Sequence, residues 1–163
     1  MQAITEKYKI LAFDPGGTTG VAYFDNELPI PQVSHIGPER HHARLWALLN
    51  NVRPTHVVYE TFEFRNRGRD NLELISRDYI GIIDLYCDLN PVRVYRQSAS
   101  QAKGFIPDKG PRKDVPIKRL GWYMPGHKHG MDAVRHLIYF ITGQDHDFPK
   151  LRMDILERGF KPE

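Results

Sequence analysis

The chain has 163 residues, a length that favours one domain over residues 1–163, and its content of 40% hydrophobic and 26% charged residues is ordinary for a globular protein. The net charge is +3, no apolar run reaches the roughly 18 residues of a membrane span, and the first residues lack the apolar stretch of a signal peptide, so we expect a cytoplasmic protein without membrane association. The single cysteine, Cys87, excludes an internal disulfide framework and a multi-cysteine zinc site.

Alternating and continuous apolar runs predict a strand-rich first third of the chain. Strands are predicted at Lys9–Asp14 and at 20–25, which form a hairpin around a Pro-Gly-Gly turn. A shorter third strand follows at Gln32–Ile36, then a helix over 41–50 and a strand at His56–Glu60. A polar, arginine-rich loop is predicted between 62 and 71.

The remainder of the chain predicts helices that alternate with one more strand. A long apolar stripe indicates a helix over 72–89, and a strand follows at 91–95. A short helix over 98–105 begins at Ser98, a mobile loop spans 107–116, and a strongly apolar helix covers 131–142; the tail after residue 143 has no clear pattern. A hairpin followed by β-α-β units predicts an α/β domain with a mixed sheet.

Three carboxylates stand at positions where a charged group is costly. Asp14 and Glu60 each end an apolar strand, and Asp132 lies in the first turn of an apolar helix. Each has an ordinary explanation: Asp14 as a turn residue, Glu60 as a strand end, Asp132 as a helix cap. Their order along the chain favours a shared role instead, because hard divalent cations bind carboxylate oxygens.

Histidines extend this set of candidate ligands. His129 precedes Asp132 by three residues, so the two share a helical face, and His129 is a candidate metal ligand or proton carrier. His127 is a weaker candidate. His136 is interpreted as a packing residue, and His41 and His42 are interpreted as surface residues.

Positive charge is concentrated in two segments. The segment from Arg93 to Arg119 contains eight basic residues and only two acidic ones, Asp108 and Asp114, so its charge is +6. A second cluster consists of Arg65, Arg67 and Arg69. Such patches are typical of proteins that bind a phosphate backbone, although a solvated basic face has the same composition.

Taken in order, these motifs resemble the RuvC family of Holliday junction resolvases, within the RNase H-like nuclease superfamily. Residues 14–20 (DPGGTTG) resemble that family's first-strand motif, 57–60 (VVYE) its fourth-strand motif, and 129–133 (HGMDA) its last-helix motif. The segment 103–123 is more similar to the compact resolvases of phages. The cell is therefore expected to be bacterial or phage-infected.

The resemblance implies a fold, a chemistry and an assembly. It implies an RNase H-like fold with a five-stranded mixed sheet flanked by helices, a homodimer, and cleavage of branched DNA. The implied catalytic and metal-binding residues are Asp14, Glu60, His129 and Asp132. They are expected to hold two Mg²⁺ ions, for which Mn²⁺ can substitute; one activates water and the other stabilises the departing 3′ oxygen, leaving 5′-phosphate and 3′-hydroxyl ends.

The DNA is expected to contact two groups of residues. The family places an aromatic wedge after its second carboxylate, for which Phe62 and Phe64 are candidates. The basic residues expected to bind phosphates, and so to contribute affinity but not chemistry, are Arg65, Arg67, Arg69, Lys109, Arg112, Lys113, Lys118 and Arg119.

Three other functions remain to be weighed against junction resolution. The same fold and metal site would serve a nuclease for flaps, forks or RNA–DNA hybrids. A branched-DNA-binding module without catalysis is a second alternative, which the complete set of acids disfavours. The third, an ATP-binding actin-like fold suggested by the glycine-rich motif at 14–20, needs two lobes, and 163 residues supply one.

Overall fold

Five strands form one mixed sheet in this computed structural model, which describes residues 7–61, 70–144 and 147–162. The strands are β1 (Lys9–Asp14), β2 (Thr19–Asp25), β3 (Gln32–Ile36), β4 (His56–Glu60) and β5 (Arg93–Gln97). Their order across the sheet is β3-β2-β1-β4-β5. β1 runs antiparallel to β2 and parallel to β4, and β5 is parallel to β4. The two parallel pairings bring the carboxyl ends of β1, β4 and β5 to one edge.

Helices cover both faces of this sheet. They are α1 (His41–Val52), α2 (Asp70–Leu89), α3 (Ala99–Phe105), α4 (Val115–Leu120), α5 (Lys128–Tyr139) and α6 (Pro149–Gly159), and α5 continues into a π-helical segment at Phe140–Gln144. Over the ranges given above, no helix is both long enough and apolar enough to cross a membrane.

Period-two alternation in the central strands sorts their side chains into two cores. Ile10 and Ala12 of β1 and Val58 of β4 point into a core with α5. Leu11 and Phe13 point to the other side, into a core with α1 and α2. Because both faces of β1 and β4 are covered, these strands are apolar along nearly their whole length, and an acid on either one is conspicuous.

The elements predicted from sequence agree with this architecture, with the main differences in the second half of the chain. The fifth strand lies two residues later than predicted, at Arg93–Gln97, and the expected loop over 107–116 ends early because α4 begins at Val115. Asp114 precedes α4 in a left-handed conformation, φ 57°, which sequence patterns do not reveal. The tail contains α6, whose only buried residues are Ile155 and Gly159, so its apolar signal is weak.

Candidate active site

Three polar side chains stand side by side at the carboxyl edge of the sheet. Asp14 and Glu60 are the last residues of β1 and β4. The residues that precede them, Phe13 and Tyr59, are paired in the sheet. Gln97 ends β5 directly opposite Glu60. Side chains two residues apart share a face, so Asp14 follows Ile10 and Ala12 onto the face that α5 covers. Because β1 and β4 are neighbours, Asp14 and Glu60 lie close together.

Helix α5 brings two more groups to this edge. Asp132 and His136 are four residues apart and therefore share a helical face. His136 Nε2 lies 3.0 Å from Glu60 Oε2. Ligand atoms of Asp14, Glu60 and His136 all lie within 4.8 Å of one another. We call these three residues the acidic centre.

Gln97 determines which nitrogen of His136 faces the carboxylates. The Gln97 amide nitrogen donates to the His136 carbonyl oxygen at 3.2 Å and to Gln144 Oε1 at 2.7 Å. Its Oε1 is therefore the acceptor for His136 Nδ1, 2.7 Å away. Nδ1 therefore keeps its proton, and Nε2 is the nitrogen that faces the carboxylates: it donates to Glu60 while it is protonated, and after losing that proton it presents a lone pair to a cation, as a metal-binding histidine does.

The two carboxyls of the centre are held in different states. Burial, followed by the negative charges of Glu60 and Asp132, raises the pKa of Asp14 to about 8. Burial acts in the same direction on Glu60, but the hydrogen bond and positive charge of His136 outweigh it and lower the pKa of Glu60. Asp14 thus retains its proton at neutral pH unless a cation at this point stabilises the charged carboxylate.

Asp132 is held at the rim of the centre by a buried guanidinium. Arg135 forms ion pairs with Asp132 and with Asp114, and the side chains of Arg135 and Asp114 are almost wholly buried. Asp114 precedes α4, so this bridge fixes the start of α4 to α5. The carboxylate of Asp132 remains close enough to Asp14 to raise its pKa.

A lysine from α3 faces the carboxylates. Lys103 lowers the pKa of both Asp14 and Glu60 through its charge, and its Nζ lies 3.8 Å from Asp108 Oδ2. Helix α3 is fixed at its start by a capping box, in which Ser98 Oγ accepts from the backbone of Gln101 and the Gln101 side chain accepts from the backbone of Ser98. In the sequence, Lys103 is recognisable only as one of the basic residues between Arg93 and Arg119.

A glycine allows α5 to approach the sheet this closely. A Cβ at Gly20 of β2 would lie 1.9 Å from the carbonyl oxygen of His129, a backbone atom that cannot give way without moving α5. Gly20 therefore sets the height of α5, and with it the position of Asp132 and His136, above the strand ends.

The donor atoms of this centre fit a divalent cation. Carboxylate oxygens suit Mg²⁺ and Mn²⁺, and an imidazole with its second nitrogen hydrogen-bonded is a common additional ligand. Asp14 and Glu60 would hold the ion together with His136, and Asp132 lies beside them. The raised pKa of Asp14 reflects the charge that such an ion would neutralise.

Two histidines of the last-helix segment, His129 and His136, differ from the roles that the sequence suggested. His129 is exposed in the first turn of α5 and is not one of the residues whose ligand atoms cluster with Asp14; its role as a ligand stays a prediction. His136, interpreted from sequence as a packing residue, is buried as expected but also contacts Glu60. Its four-residue spacing from Asp132 is the one sequence signal for this role, and by itself it does not separate a ligand from a packing residue.

A cleft of about 420 Å³ lies beside the acidic centre. Asp132 and Arg135 form one wall, and Lys109, Lys113 and Lys128 contribute positive charge. Arg112, Lys118 and Arg119 are exposed as well, with Lys118 above the ring of Tyr123 and Arg119 donating to the Lys161 carbonyl oxygen. The five basic residues predicted in this segment are therefore all accessible to a ligand.

Five of the predicted DNA-binding residues fall in another part of the chain. Phe62, Phe64, Arg65, Arg67 and Arg69 lie outside the described residues.

Comparison with known proteins identifies similar structures and no similar sequence. No protein-family model and no curated protein sequence matches the chain. Thermus thermophilus RuvC in complex with a Holliday junction substrate has a TM-score of 0.58 and 20% identity, over 78% of this chain and 89% of RuvC. A second structure of that RuvC has a TM-score of 0.56 and 20% identity, over 80% and 94%.

A eukaryotic protein shares the same architecture. The yeast mitochondrial Holliday junction resolvase Ydc2 has a TM-score of 0.55 and 13% identity, over 79% of this chain and 75% of Ydc2. At these identities the likeness establishes the fold. The chain has a RuvC-like, RNase H-like fold, as the sequence motifs predicted.

Proposed function

We propose that this protein is a structure-selective DNA endonuclease that resolves Holliday junctions. The observation that carries the proposal is the acidic centre of Asp14, Glu60 and His136, with Asp132 beside it, at the sheet edge of a RuvC-like fold. Two of the solved structures with this fold are resolvases by name or by bound substrate. An acidic centre next to a basic cleft suits a reaction on a phosphodiester backbone.

The proposed reaction assigns a task to each group of the centre. Asp14, Glu60 and His136 would hold Mg²⁺, and the bound metal would supply an activated water and stabilisation of the departing 3′ oxygen. Gln97 keeps His136 in the tautomer that offers Nε2. Arg135 keeps the Asp132 carboxylate at the rim of the centre. The ends produced are a 5′-phosphate and a 3′-hydroxyl.

The basic residues position the substrate in this proposal. Lys109, Lys113 and Lys128 line the same cleft as Asp132, so a strand whose phosphates contact these lysines would lie beside the acidic centre. Arg65, Arg67 and Arg69 follow Glu60 in sequence and are proposed to add further phosphate contacts. One of Phe62 and Phe64 is proposed as the wedge at the branch point.

We further propose that the active form is a homodimer in the cytoplasm of a bacterial or phage-infected cell. One chain supplies one acidic centre, whereas resolution requires two cuts. Leu85 and Leu89, four residues apart on α2, are 52% and 67% exposed, and Trp46 of α1 is 38% exposed against Tyr86. Sedimentation velocity of the wild type and of Leu89→Glu tests this: a dimer that the variant disrupts is expected, and a monomeric wild type would contradict it.

Cleavage of a labelled four-way junction tests the function. Wild type, Asp14→Asn and a matched exposed control, Asp88→Asn, are incubated with junction, linear duplex, fork, flap and RNA–DNA hybrid, in Mg²⁺, Mn²⁺ or EDTA. Paired nicks in the junction are expected with either metal, for wild type and Asp88→Asn alone. EDTA and Asp14→Asn should each abolish cleavage, because both remove the acidic centre's metal.

Other outcomes identify the alternatives. Equal cutting of flaps, forks and junctions would assign a general branch nuclease, and preferential cutting of the hybrid would assign a ribonuclease H activity. Tight junction binding without cutting in any metal would contradict catalysis and leave a DNA-binding module.

A further inference from the structure

A second cluster of metal-ligating side chains lies on the opposite face of the sheet from α5. His41 and His42 begin α1, and Asp78 extends from the neighbouring helix α2. One ligand atom from each of the three lies within 4.8 Å of the others. We propose that these residues bind Zn²⁺ or a similar transition-metal ion, at a site separate from the acidic centre.

The distance between the two imidazoles matches joint coordination. His41 Nε2 and His42 Nε2 are 3.2 Å apart. Two nitrogens bound to one tetrahedral Zn²⁺ at about 2.0–2.1 Å are separated by roughly 3.3 Å. The two ring centroids are 3.8 Å apart, so the exposed His42 ring would rotate away from His41 to direct its Nε2 lone pair at the ion.

The orientation of His41 is already that of a ligand. Its Nδ1 lies 2.9 Å from the carbonyl oxygen of Pro38, which can only accept, so the proton is on Nδ1 and Nε2 carries a lone pair. A backbone carbonyl on the second ring nitrogen is a frequent support for a metal-binding histidine. The His41 ring also packs on Tyr79, with 4.7 Å between centroids, which restricts its rotation.

Asp78 supplies the negative charge that the site needs. Its Oδ2 is 3.8 Å from His42 Nε2, and both side chains are 55% exposed, so the carboxylate can close the remaining distance. The charge also offsets the positive end of the α1 dipole, which would otherwise repel a cation at His41. Water can complete a fourth position on this exposed side.

The donor set selects among metals. Two imidazoles and one carboxylate favour Zn²⁺ over Mg²⁺, which prefers an all-oxygen shell and retains its own water. Because the ligands come from two helices, bound zinc would join the start of α1 to α2 and stabilise the core that these helices form with the sheet. Without metal, a hydrogen bond from His42 to His41 Nε2 accounts for the same distance.

Zinc titration of the full-length chain distinguishes the two explanations. Because the acidic centre can also bind zinc, calorimetry is done in the Glu60→Gln background, with and without His42→Ala or Asp78→Asn. His35→Ala, which removes an exposed histidine of β3, is the matched control. Far-ultraviolet circular dichroism and the metal-free Tm establish that each variant folds.

The proposal predicts one zinc per chain in Glu60→Gln and in its His35→Ala derivative. His42→Ala and Asp78→Asn should each weaken binding by at least about tenfold, and Mg²⁺ should produce no heat at this site. Zinc at about 100 times its Kd should raise the Tm by about 5–10 °C, a rise that His42→Ala removes. Zinc binding that is unchanged by both substitutions, or absent in Glu60→Gln, would overturn the proposal. Junction cleavage in Mg²⁺ is independent of either result.

Discussion

At the scale of single residues, the acidic centre disfavours the charged form of Asp14 when no cation is present. Asp14 is buried against Glu60 and near Asp132, and its pKa is raised to about 8. In the unfolded chain an aspartate has an ordinary pKa near 3.8. The folded state therefore binds a proton that the unfolded state releases, and this proton makes stability depend on pH.

This difference in pKa predicts that, when EDTA removes metal, Asp14 lowers the free energy of unfolding by an amount that depends on pH. Between about pH 4 and pH 8 the contribution of Asp14 to stability should fall as pH rises, by up to about 1.4 kcal/mol per pH unit. Urea unfolding in EDTA at pH 5, 6.5 and 8 measures it, as the difference between wild type and Asp14→Asn. The exposed Asp88→Asn should show no such trend. A difference that is constant across the three pH values would contradict the prediction.

Arg135 is the second residue on which the centre depends. Its guanidinium pairs with Asp114 and Asp132, and breaking a buried ion pair costs about 3–5 kcal/mol because the remaining charge is left unpaired. Arg135→Ala should lower the free energy of unfolding by about that amount. Arg158→Ala, which removes an exposed pair with Asp154, should cost about 1 kcal/mol or less. Equal effects of the two substitutions would contradict the buried bridge.

At the scale of elements, the site depends on how closely α5 lies to the sheet. Asp14 and Glu60 come from β1 and β4, whereas Asp132 and His136 come from α5. The four groups meet because β2 offers Gly20 where the α5 backbone passes. On the other face of the sheet, hydrogen bonds of Tyr59 hold β4 in place: its hydroxyl donates to Asp84 Oδ1 at 2.7 Å and accepts from Arg96 at 2.6 Å.

A methyl group at Gly20 should therefore disrupt the site. Gly20→Ala is expected to lower stability by about 1–3 kcal/mol or more and to reduce cleavage on the order of 100-fold, because α5 must shift. Gly81→Ala on α2, where nothing lies within 4 Å, should instead raise stability by about 1 kcal/mol and leave cleavage unchanged. Chemical unfolding and junction cleavage of both variants measure this; a fully active Gly20→Ala would contradict it.

At the scale of the whole molecule, negative charge is concentrated in the acidic centre and positive charge on the neighbouring surface. The net charge of +3 gives no indication of this division. The lysines of the cleft lie beside carboxylates that need a cation, so DNA phosphates are attracted to the surface while the centre itself attracts metal.

The proposed DNA path predicts a specific salt dependence. Lys109→Ala and Lys113→Ala should each weaken junction binding and make the slope of log K against log salt shallower by about 0.9. Lys150→Ala on α6, equally exposed but outside the cleft, should leave the slope unchanged. Fluorescence anisotropy between about 50 and 200 mM salt measures the slopes. Identical slopes for all three variants would contradict this path.

The sequence by itself determined the sheet and the position of its acids. Strong apolar runs ending in Asp14 and Glu60 predicted two strands; the structure confirms both and shows that they are neighbours. These features are local: strand periodicity and the cost of a buried charge are readable from a few consecutive residues. Shorter and less regular elements such as α4 and α6 were missed for the same reason.

Only the tertiary structure decided which side chains meet those acids. His136 was indistinguishable in sequence from a packing residue until β5 placed Gln97 against its Nδ1 and β4 placed Glu60 against its Nε2. Arg135 and Asp114, 21 residues apart, form a pair that no local pattern indicates. His42 and Asp78 are brought together in the same way by the packing of α1 on α2. Contacts between distant segments depend on how helices pack on the sheet, and that packing is a property of the whole chain.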